Sequence, residues 1–270
     1  MVEALKVNKT LIDLDLYDIN FTTEGIKYLS EALKVNKTLT SLNLKENIIE
    51  NNGMKTLSEA LKVNSSLTSL NLESNNISNE GIKYLSEALK VNSSLTYLDL
   101  SYNNIENEGM KTLSVTLKVN YSLTSLYLSN YKIGNEGIIY FSEALKVNST
   151  LTMLDLYCND INIGDESMKV LSEALKVNDT LIDLNLSFNN IEIKGLKYLT
   201  EALKVNSSLS KLYLERNHIE KECIKVLSDA LKVNNSLTEL SLYNNNFSIQ
   251  ETKYLLEALN TNTTLTKIHI

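Results

Sequence analysis

Leucine and other apolar residues recur in a fixed pattern along the whole chain. They occupy positions 1, 4 and 6 of a short motif, and successive motifs are 28 residues apart except for one step of 30. The motifs begin at Leu11, Leu39, Leu67, Leu95, Leu123, Leu151, Leu181, Leu209, Leu237 and Leu265. Alternating leucines predict a short strand with one buried face. The chain is therefore expected to contain a row of similar strands.

The segment between two strands has the periodicity of a helix. In the repeat that follows Gly81, the apolar residues Ile82, Leu85, Ala88 and Leu89 fall on one helical face. One strand and one helix cannot bury these residues alone, so the repeats must stack on each other. Parallel strands stack about 4.8 Å apart, whereas a helix is about 10 Å across. The stack should therefore bend, with its strands on the concave side.

Asparagine usually stands three residues after the last leucine of the motif. An amide side chain both donates and accepts hydrogen bonds, so a buried row of asparagines can satisfy backbone groups where the chain turns. The predicted row consists of Asn47, Asn75, Asn103, Asn159, Asn189, Asn217 and Asn245.

The pattern LxxLxLxxNxI, followed by a helical half within 28 residues, resembles the ribonuclease-inhibitor class of leucine-rich repeats. An alternation of Tyr28, Thr56, Tyr84 and Thr112 in successive helices resembles the paired repeat types of that class. The resemblance implies an α/β fold, a right-handed α/β solenoid or horseshoe, with a parallel β-sheet on the concave face and helices on the convex face. It implies one domain over residues 1–270, with about nine full repeats between a helix remnant at 1–10 and a final strand at 265–270.

The chain departs from that class because it has only two cysteines. The cysteine-rich caps that are typical of extracellular repeat proteins are not expected here either. An uncapped end exposes core residues and a strand edge. We therefore expect a piece of a longer array or a minimal gene, and self-association through the uncapped ends is a further alternative.

Charge and composition narrow the choice of partners and location. The net charge of −7 and the pI of about 5.1 argue against nucleic acid and anionic membranes, since both require a basic face. No stretch of about 20 apolar residues predicts a membrane span, and the N-terminus does not resemble a signal peptide. Two cysteines do not form a disulfide framework. These features favour the cytoplasm.

The positions between the leucines (3, 5, 7 and 8 of each motif) vary, whereas the scaffold positions are nearly copied. These variable positions hold ten acidic residues and four basic ones, together with eight aromatic residues. Tyrosine often anchors protein interfaces. We therefore predict a basic protein partner on this surface, although strands also tolerate tyrosine simply as a surface residue. The candidate binding residues are Asp13, Asp15, Tyr17, Tyr97, Asp99, Tyr102, Tyr127, Asp155, Tyr157, Asp183, Phe188, Tyr213, Glu215 and Tyr243.

The sequence contains no pattern typical of catalysis, of a cofactor or of a metal. His218, His269, Cys158 and Cys223 are scattered over several repeats, too far apart to share a metal ion. The Asn-x-Ser/Thr matches at Asn64, Asn92, Asn148 and Asn206 recur in the linker after each helix. We interpret them as helix-cap chemistry rather than as glycosylation sites.

Three functions remain open at this point. The first is a non-enzymatic interaction module that acts as an inhibitor, a scaffold or the sensing region of a receptor. The second is a GTPase-activating protein similar to the Ran-directed family, which uses the same repeats; a GTP hydrolysis assay would distinguish it. The third is a repeat protein without a fixed ligand, because a fold does not determine a function.

Overall fold

The computed structural model describes residues 2–129, 132–158 and 163–270. The chain divides into two compact units, Met1–Asn130 and Tyr131–Ile270, called here the first and the second unit. In both units short strands alternate with helices of mostly 11 to 13 residues. The predicted α/β solenoid class is therefore confirmed.

Within residues 2–129, the described part of the first unit, five strands and five helices alternate. The strands are β1 (Asp13–Asp15), β2 (Ser41–Asn43), β3 (Ser69–Asn71), β4 (Tyr97–Asp99) and β5 (Ser125–Tyr127). The helices are α1 (Val2–Val7), α2 (Thr23–Val35), α3 (Glu50–Leu61), α4 (Asn79–Leu89) and α5 (Asn107–Leu117). The strands are parallel and pair in chain order, and each residue lies beside the one 28 positions later.

The second unit repeats the same alternation. Its helices are α6 (Asn135–Leu145), α7 (Asp165–Val177), α8 (Ile193–Leu203), α9 (Lys221–Leu231) and α10 (Ile249–Leu259). Its strands are β6 (Met153–Asp155), β7 (Asp183–Asn185), β8 (Lys211–Tyr213), β9 (Glu239–Ser241) and β10 (Lys267–His269). These strands are also parallel and pair in chain order, and the step of 30 residues falls between β6 and β7.

The core of each unit lies between its sheet and its helices. The motif leucines of the inner repeats are almost completely buried, as are the apolar residues of the facing helices, for example Leu70, Leu98, Ile82 and Leu85. Leu11, in the first motif, is 38% exposed, while its counterpart Leu39 is fully buried. Burial of these leucines therefore depends on a neighbouring repeat, as the stacking argument requires.

Candidate protein-binding surface

One face of each sheet is formed by the variable positions 3, 5, 7 and 8 of the motif, and we call these side chains the strand face of the unit. In most strands a buried leucine lies between two half-buried residues, as in Ser41–Asn43 and Lys211–Tyr213. Since side chains alternate along a strand, the residues that flank the leucine point away from the core.

The asparagine row lies beside the strand face and holds the turn after each strand. In Asn103, Nδ2 donates to the carbonyl oxygens of Leu72 and Leu100 at 2.8 and 3.0 Å, and Oδ1 accepts from the backbone N–H groups of Asn75 and Ile77 at 3.0 Å. In the second unit Nδ2 of Asn217 donates to the carbonyl oxygen of Leu186, and its Oδ1 accepts from the N–H groups of Asn189 and Ile191. Asn47, Asn75, Asn189 and Asn245 likewise donate to carbonyl groups of the preceding repeat, and Asn159 lies outside the described residues.

A second asparagine row lies in the linkers between helix and strand, where the sequence indicated only helix caps. Nδ2 of Asn92 donates to the carbonyls of Leu61 and Asn64 in the preceding repeat, at 2.8 and 3.1 Å. Its Oδ1 accepts from the N–H groups of Ser94 and Leu95. The side chain is 6% exposed. These asparagines therefore join repeats to each other, and the recurring Asn-x-Ser/Thr was the sequence signal for them.

The acidic side chains on the strand face of the first unit belong to two groups. Asp13, Asp15 and Asp18 are exposed in the first repeat, and Oδ1 of Asp15 accepts hydrogen bonds from the Tyr17 N–H and from Nδ2 of Asn43. In the next repeats Lys45 lies 3.0 Å from Glu73 and 3.8 Å from Glu46. The hydrogen bond to Glu73 raises the pKa of Lys45. The second group is thus partly neutralised, whereas the three aspartates have no such lysine among the ion pairs of the described residues.

Aromatic side chains of the first unit form contacts on the same face. Tyr97 and Tyr127 lie on adjacent strands with their ring centroids 5.1 Å apart, and both are half-buried. The Tyr17 hydroxyl donates to Oε2 of Glu46 at 3.2 Å, which raises the pKa of Tyr17. Asp99 is buried and accepts a hydrogen bond from the Ser101 N–H, while Tyr102 is exposed. The predicted residues of this unit therefore include both exposed charges and packed rings.

The strand face of the second unit has a more even charge. Lys211 lies 3.5 Å from Asp183, and Lys267 lies 2.6 Å from Glu239. Glu215 accepts a hydrogen bond from the Ser241 hydroxyl. Burial, followed by the nearby acidic groups, raises the pKa of Tyr213 to about 12, so this hydroxyl stays protonated.

Further predicted residues of the second unit lie around an aromatic pair. The rings of Tyr157 and Phe188 are 4.7 Å apart between their centroids. Asp155 accepts hydrogen bonds from the Tyr157 N–H and from Nδ2 of Asn185, and Tyr243 is exposed. The sequence did not predict the cleft beside Phe188, whose lining includes Arg216.

The described residues include no group of three or more His, Cys, Asp or Glu side chains that could hold a metal ion. Burial raises the pKa of the Cys223 thiol. Among the helices of the described ranges, none has the length and apolar character needed to cross a membrane.

Comparison with known proteins agrees with this architecture. A family model described as Leucine Rich repeat matches residues 35–58, 63–86, 91–114, 147–172 and 177–199. These five segments are therefore leucine-rich repeats, as predicted, while the ribonuclease-inhibitor-like class stays a prediction. No curated protein sequence matches the chain.

The solved structures that are similar to this chain include the following two. The leucine-rich repeat-containing protein LegL7 from Legionella pneumophila is 22% identical, with a TM-score of 0.65 over 99% of this chain and 85% of LegL7. Actin-binding site 2 of leiomodin-1 is also 22% identical, with a TM-score of 0.44 over 66% of this chain and 86% of the other. The first similarity supports the shared fold alone.

Proposed function

We propose that the chain is a non-enzymatic interaction module that binds a basic protein segment on the strand face of its first unit. The observation that supports this proposal most directly is the exposed group of Asp13, Asp15 and Asp18 next to Tyr17; no lysine among the described residues forms an ion pair with these aspartates. Rings that present both apolar area and a hydroxyl are suited to protein interfaces.

The strand face of the first unit has the larger excess of acidic residues. Its strand face holds Asp13, Asp15, Asp18, Glu46, Glu73 and Asp99 against the single base Lys45. The second unit holds Asp155, Asp183, Glu215 and Glu239 against Lys211, Arg216 and Lys267. A basic segment should therefore associate faster with the first unit, and this association should weaken with salt. A chain of 270 residues with only two cysteines is typical of a reducing compartment, and we propose the cytoplasm as the place of action.

Two triple variants of equal charge test the proposal. Asp13→Asn, Asp15→Asn and Asp18→Asn are combined in one variant, and Glu31→Gln, Glu59→Gln and Glu87→Gln in the other. Both remove three negative charges, but the second changes only exposed helix residues that form ion pairs with lysines. Proteins retained by the wild type from the native cell extract are identified, and the affinity of each is then measured against both variants.

The aspartate variant should bind the partner at least about tenfold more weakly and with a smaller salt dependence, whereas the helix variant should keep its affinity. Equal losses in the two variants would mean that only the total charge matters. A loss confined to the helix variant would place the interface on the other side of the unit. Either result would refute the proposal.

A further inference from the structure

Arg216 differs from the other basic residues of the strand faces. Lys45, Lys211 and Lys267 each lie within 3.5 Å of a carboxylate. No carboxylate among the described residues lies within ion-pair distance of Arg216, although Glu215 precedes it in the chain. Glu215 instead accepts a hydrogen bond from Ser241 at 2.7 Å. Arg216 therefore retains the capacity to bind an external anion.

The guanidinium group of Arg216 lies against a pair of aromatic rings. Its Cζ atom lies 4.7 Å from the ring centroid of Phe188, and that ring lies 4.7 Å from the ring of Tyr157. A planar guanidinium on an aromatic face keeps its edge of N–H donors free. Such a fixed fork matches the two oxygens of a carboxylate or a phosphate group.

Arg216 and the ring of Phe188 line a cleft of about 470 Å³ that contains further hydrogen-bond donors. The cleft is lined by Cys158, Phe188, Asn190, Arg216, His218, Asn244 and Asn246. Nδ2 of Asn246 lies 3.4 Å from Nδ1 of His218, a contact that favours the tautomer with its proton on Nε2. The amide groups and the imidazole N–H thus supplement the guanidinium. None of the lining residues is acidic.

The adjacent cavity has the opposite character. It measures about 650 Å³ and shares Asn190 and His218 with the cleft, but it is lined by Glu192, Glu220 and Glu222. These glutamates disfavour an anion in that cavity. An anion near His218 would therefore occupy the side that contains Arg216.

The backbone at Phe188 and Arg216 follows the turn of the repeat. Their φ values are 60° and 48°, and the same motif position is also left-handed at Glu46, Tyr102 and Asn244. The turn is therefore common to the repeats, and the cleft is distinguished by the side chains that stand at this position.

We propose that this cleft binds an anionic side chain, a carboxylate or a phosphate, of a peptide segment. The peptide ligand rests on the proposed interaction function, but the site belongs to a different unit and selects the opposite charge. The Arg216 fork binds the anion, the amide groups and His218 donate further hydrogen bonds, and Tyr157 and Phe188 hold the fork.

Nuclear magnetic resonance tests the site without the natural partner. Arg216 is the only arginine in the chain, so its Nε–Hε signal is unique. Capped tripeptides with a central glutamate, phosphoserine or glutamine are titrated into the full chain, and inorganic phosphate is titrated separately. The two anionic peptides should shift the Arg216 signal saturably, with dissociation constants on the order of a millimolar. The glutamine peptide should not, and the tighter anionic peptide identifies the source of the charge.

Substitutions complete the test, with the His218 ring signals as the readout. Arg216→Lys should weaken binding about tenfold, since it keeps the charge but loses the fork. Arg216→Gln should abolish it. Lys267→Gln is the matched control, because Lys267 already has a carboxylate partner, and it should bind like the wild type.

Three results would overturn the assignment: equal shifts from the glutamine peptide, undiminished binding by Arg216→Gln, or inorganic phosphate binding as tightly as the phosphopeptide. Because none of these readouts involves the strand face of the first unit, failure here is distinguishable from failure of the proposed function.

Discussion

The two units have the same strands and helices but differ in how their helices begin. In the first unit, Asn51 accepts hydrogen bonds from the N–H groups of Ser78 and Gly81, and Asn79 repeats this contact with Glu106 and Gly109 one repeat later. Added Cβ atoms at Gly81 and Gly109 would lie 2.8 and 2.6 Å from the asparagine oxygens. Glycine at these two helix starts is therefore a packing requirement.

In the second unit the corresponding position holds Gly137, Ser167, Gly195, Cys223 and Glu251, so glycine is kept there in only two of five helices. The Ser167 hydroxyl donates to Asn135, and Glu251 forms a capping box with Ser248. The charge of the strand faces differs as well, with acids concentrated in the first unit. The leucine scaffold is therefore the same in both units, while the helix starts and the charges of the strand faces differ. This is possible because the residues at the helix starts and on the strand faces do not determine how the leucines pack.

The largest expected effect concerns the feature that both units share. Asn103→Ala and Asn217→Ala should each lower the free energy of unfolding by about 3 kcal/mol or more, because each leaves buried backbone donors and acceptors unsatisfied. Urea denaturation measures the loss, and hydrogen exchange assigns it to a unit. Asn52→Ala, at an exposed helix position, should change stability by less than about 0.5 kcal/mol. If only one of the two variants lost stability, the asparagine row would not have the same role in both units.

The second prediction concerns the glycine position. Gly81→Ala should destabilise the protein by about 2 kcal/mol, because the new methyl group would lie 2.6 Å from Cγ2 of Ile77 and 2.8 Å from Oδ1 of Asn51. Gly195→Ala meets Met168 at 3.0 Å, a flexible side chain, and gains helix propensity of about 1 kcal/mol. The two effects should nearly cancel there. Thermal and urea unfolding measure the stability of both variants. A larger loss of stability in Gly195→Ala than in Gly81→Ala would contradict the prediction.

The third prediction concerns the pH dependence of the second unit. Burial raises the pKa of Asp183, and Lys211 offsets only part of that rise. The folded state therefore binds a proton more tightly than the unfolded state does, so this group costs stability as the pH rises through its folded pKa. Asp183→Asn should stabilise the protein at neutral pH by at most about 1 kcal/mol. The gain should vanish in acid, below the ordinary range for aspartate.

Asp13→Asn provides the control for this pH effect, because Asp13 is exposed in the first unit. Urea unfolding at several pH values should show no comparable gain for this variant. If Asp183→Asn instead lost stability at neutral pH, the ion pair with Lys211 would outweigh the cost of burial.

The smallest expected effect concerns the outer helix surfaces. All four of α6, α7, α8 and α9 in the second unit have an acid and a lysine three residues apart in an ion pair, such as Glu173 and Lys176. In α5 of the first unit the acidic position is Val115, which is 55% exposed. Val115→Glu should raise the free energy of unfolding by about 0.3 kcal/mol in low salt. Val115→Gln is the control, because glutamine is polar but uncharged. If it raised the free energy of unfolding as much as Val115→Glu does, the ion pair would not be the cause.

Much of the fold was predictable from local patterns. The leucine spacing predicted strands within the motifs that begin at Leu39 and Leu67, and β2 and β3 lie there. The predicted helix after Gly81 is α4. These predictions succeeded because strand and helix periodicities are properties of neighbouring residues in the chain. The concave binding face, the basic partner and the single-domain organisation stay predictions.

The candidate surface was less predictable. Counting ten acids against four bases did not reveal that Lys45, Lys211 and Lys267 lie beside carboxylates, whereas Arg216 has no carboxylate partner within the ranges that the structure describes. The linker asparagines were interpreted as caps, although Asn92 reaches the preceding repeat. The ion pairs of these lysines and the hydrogen bonds of Asn92 are formed with residues about 28 positions away. The pattern within a single motif therefore does not predict them.

The sequence by itself determined the repeat, its alternating strands and helices, and the leucines that form the core, because a 28-residue period leaves one apolar face per element. Only the tertiary structure decided which charges are neutralised and where Arg216 lies. That depends on the left-handed backbone at Phe188 and Arg216 and on the contact between their side chains across adjacent repeats. Local periodicity carries no information on such contacts, because they form only when repeats stack.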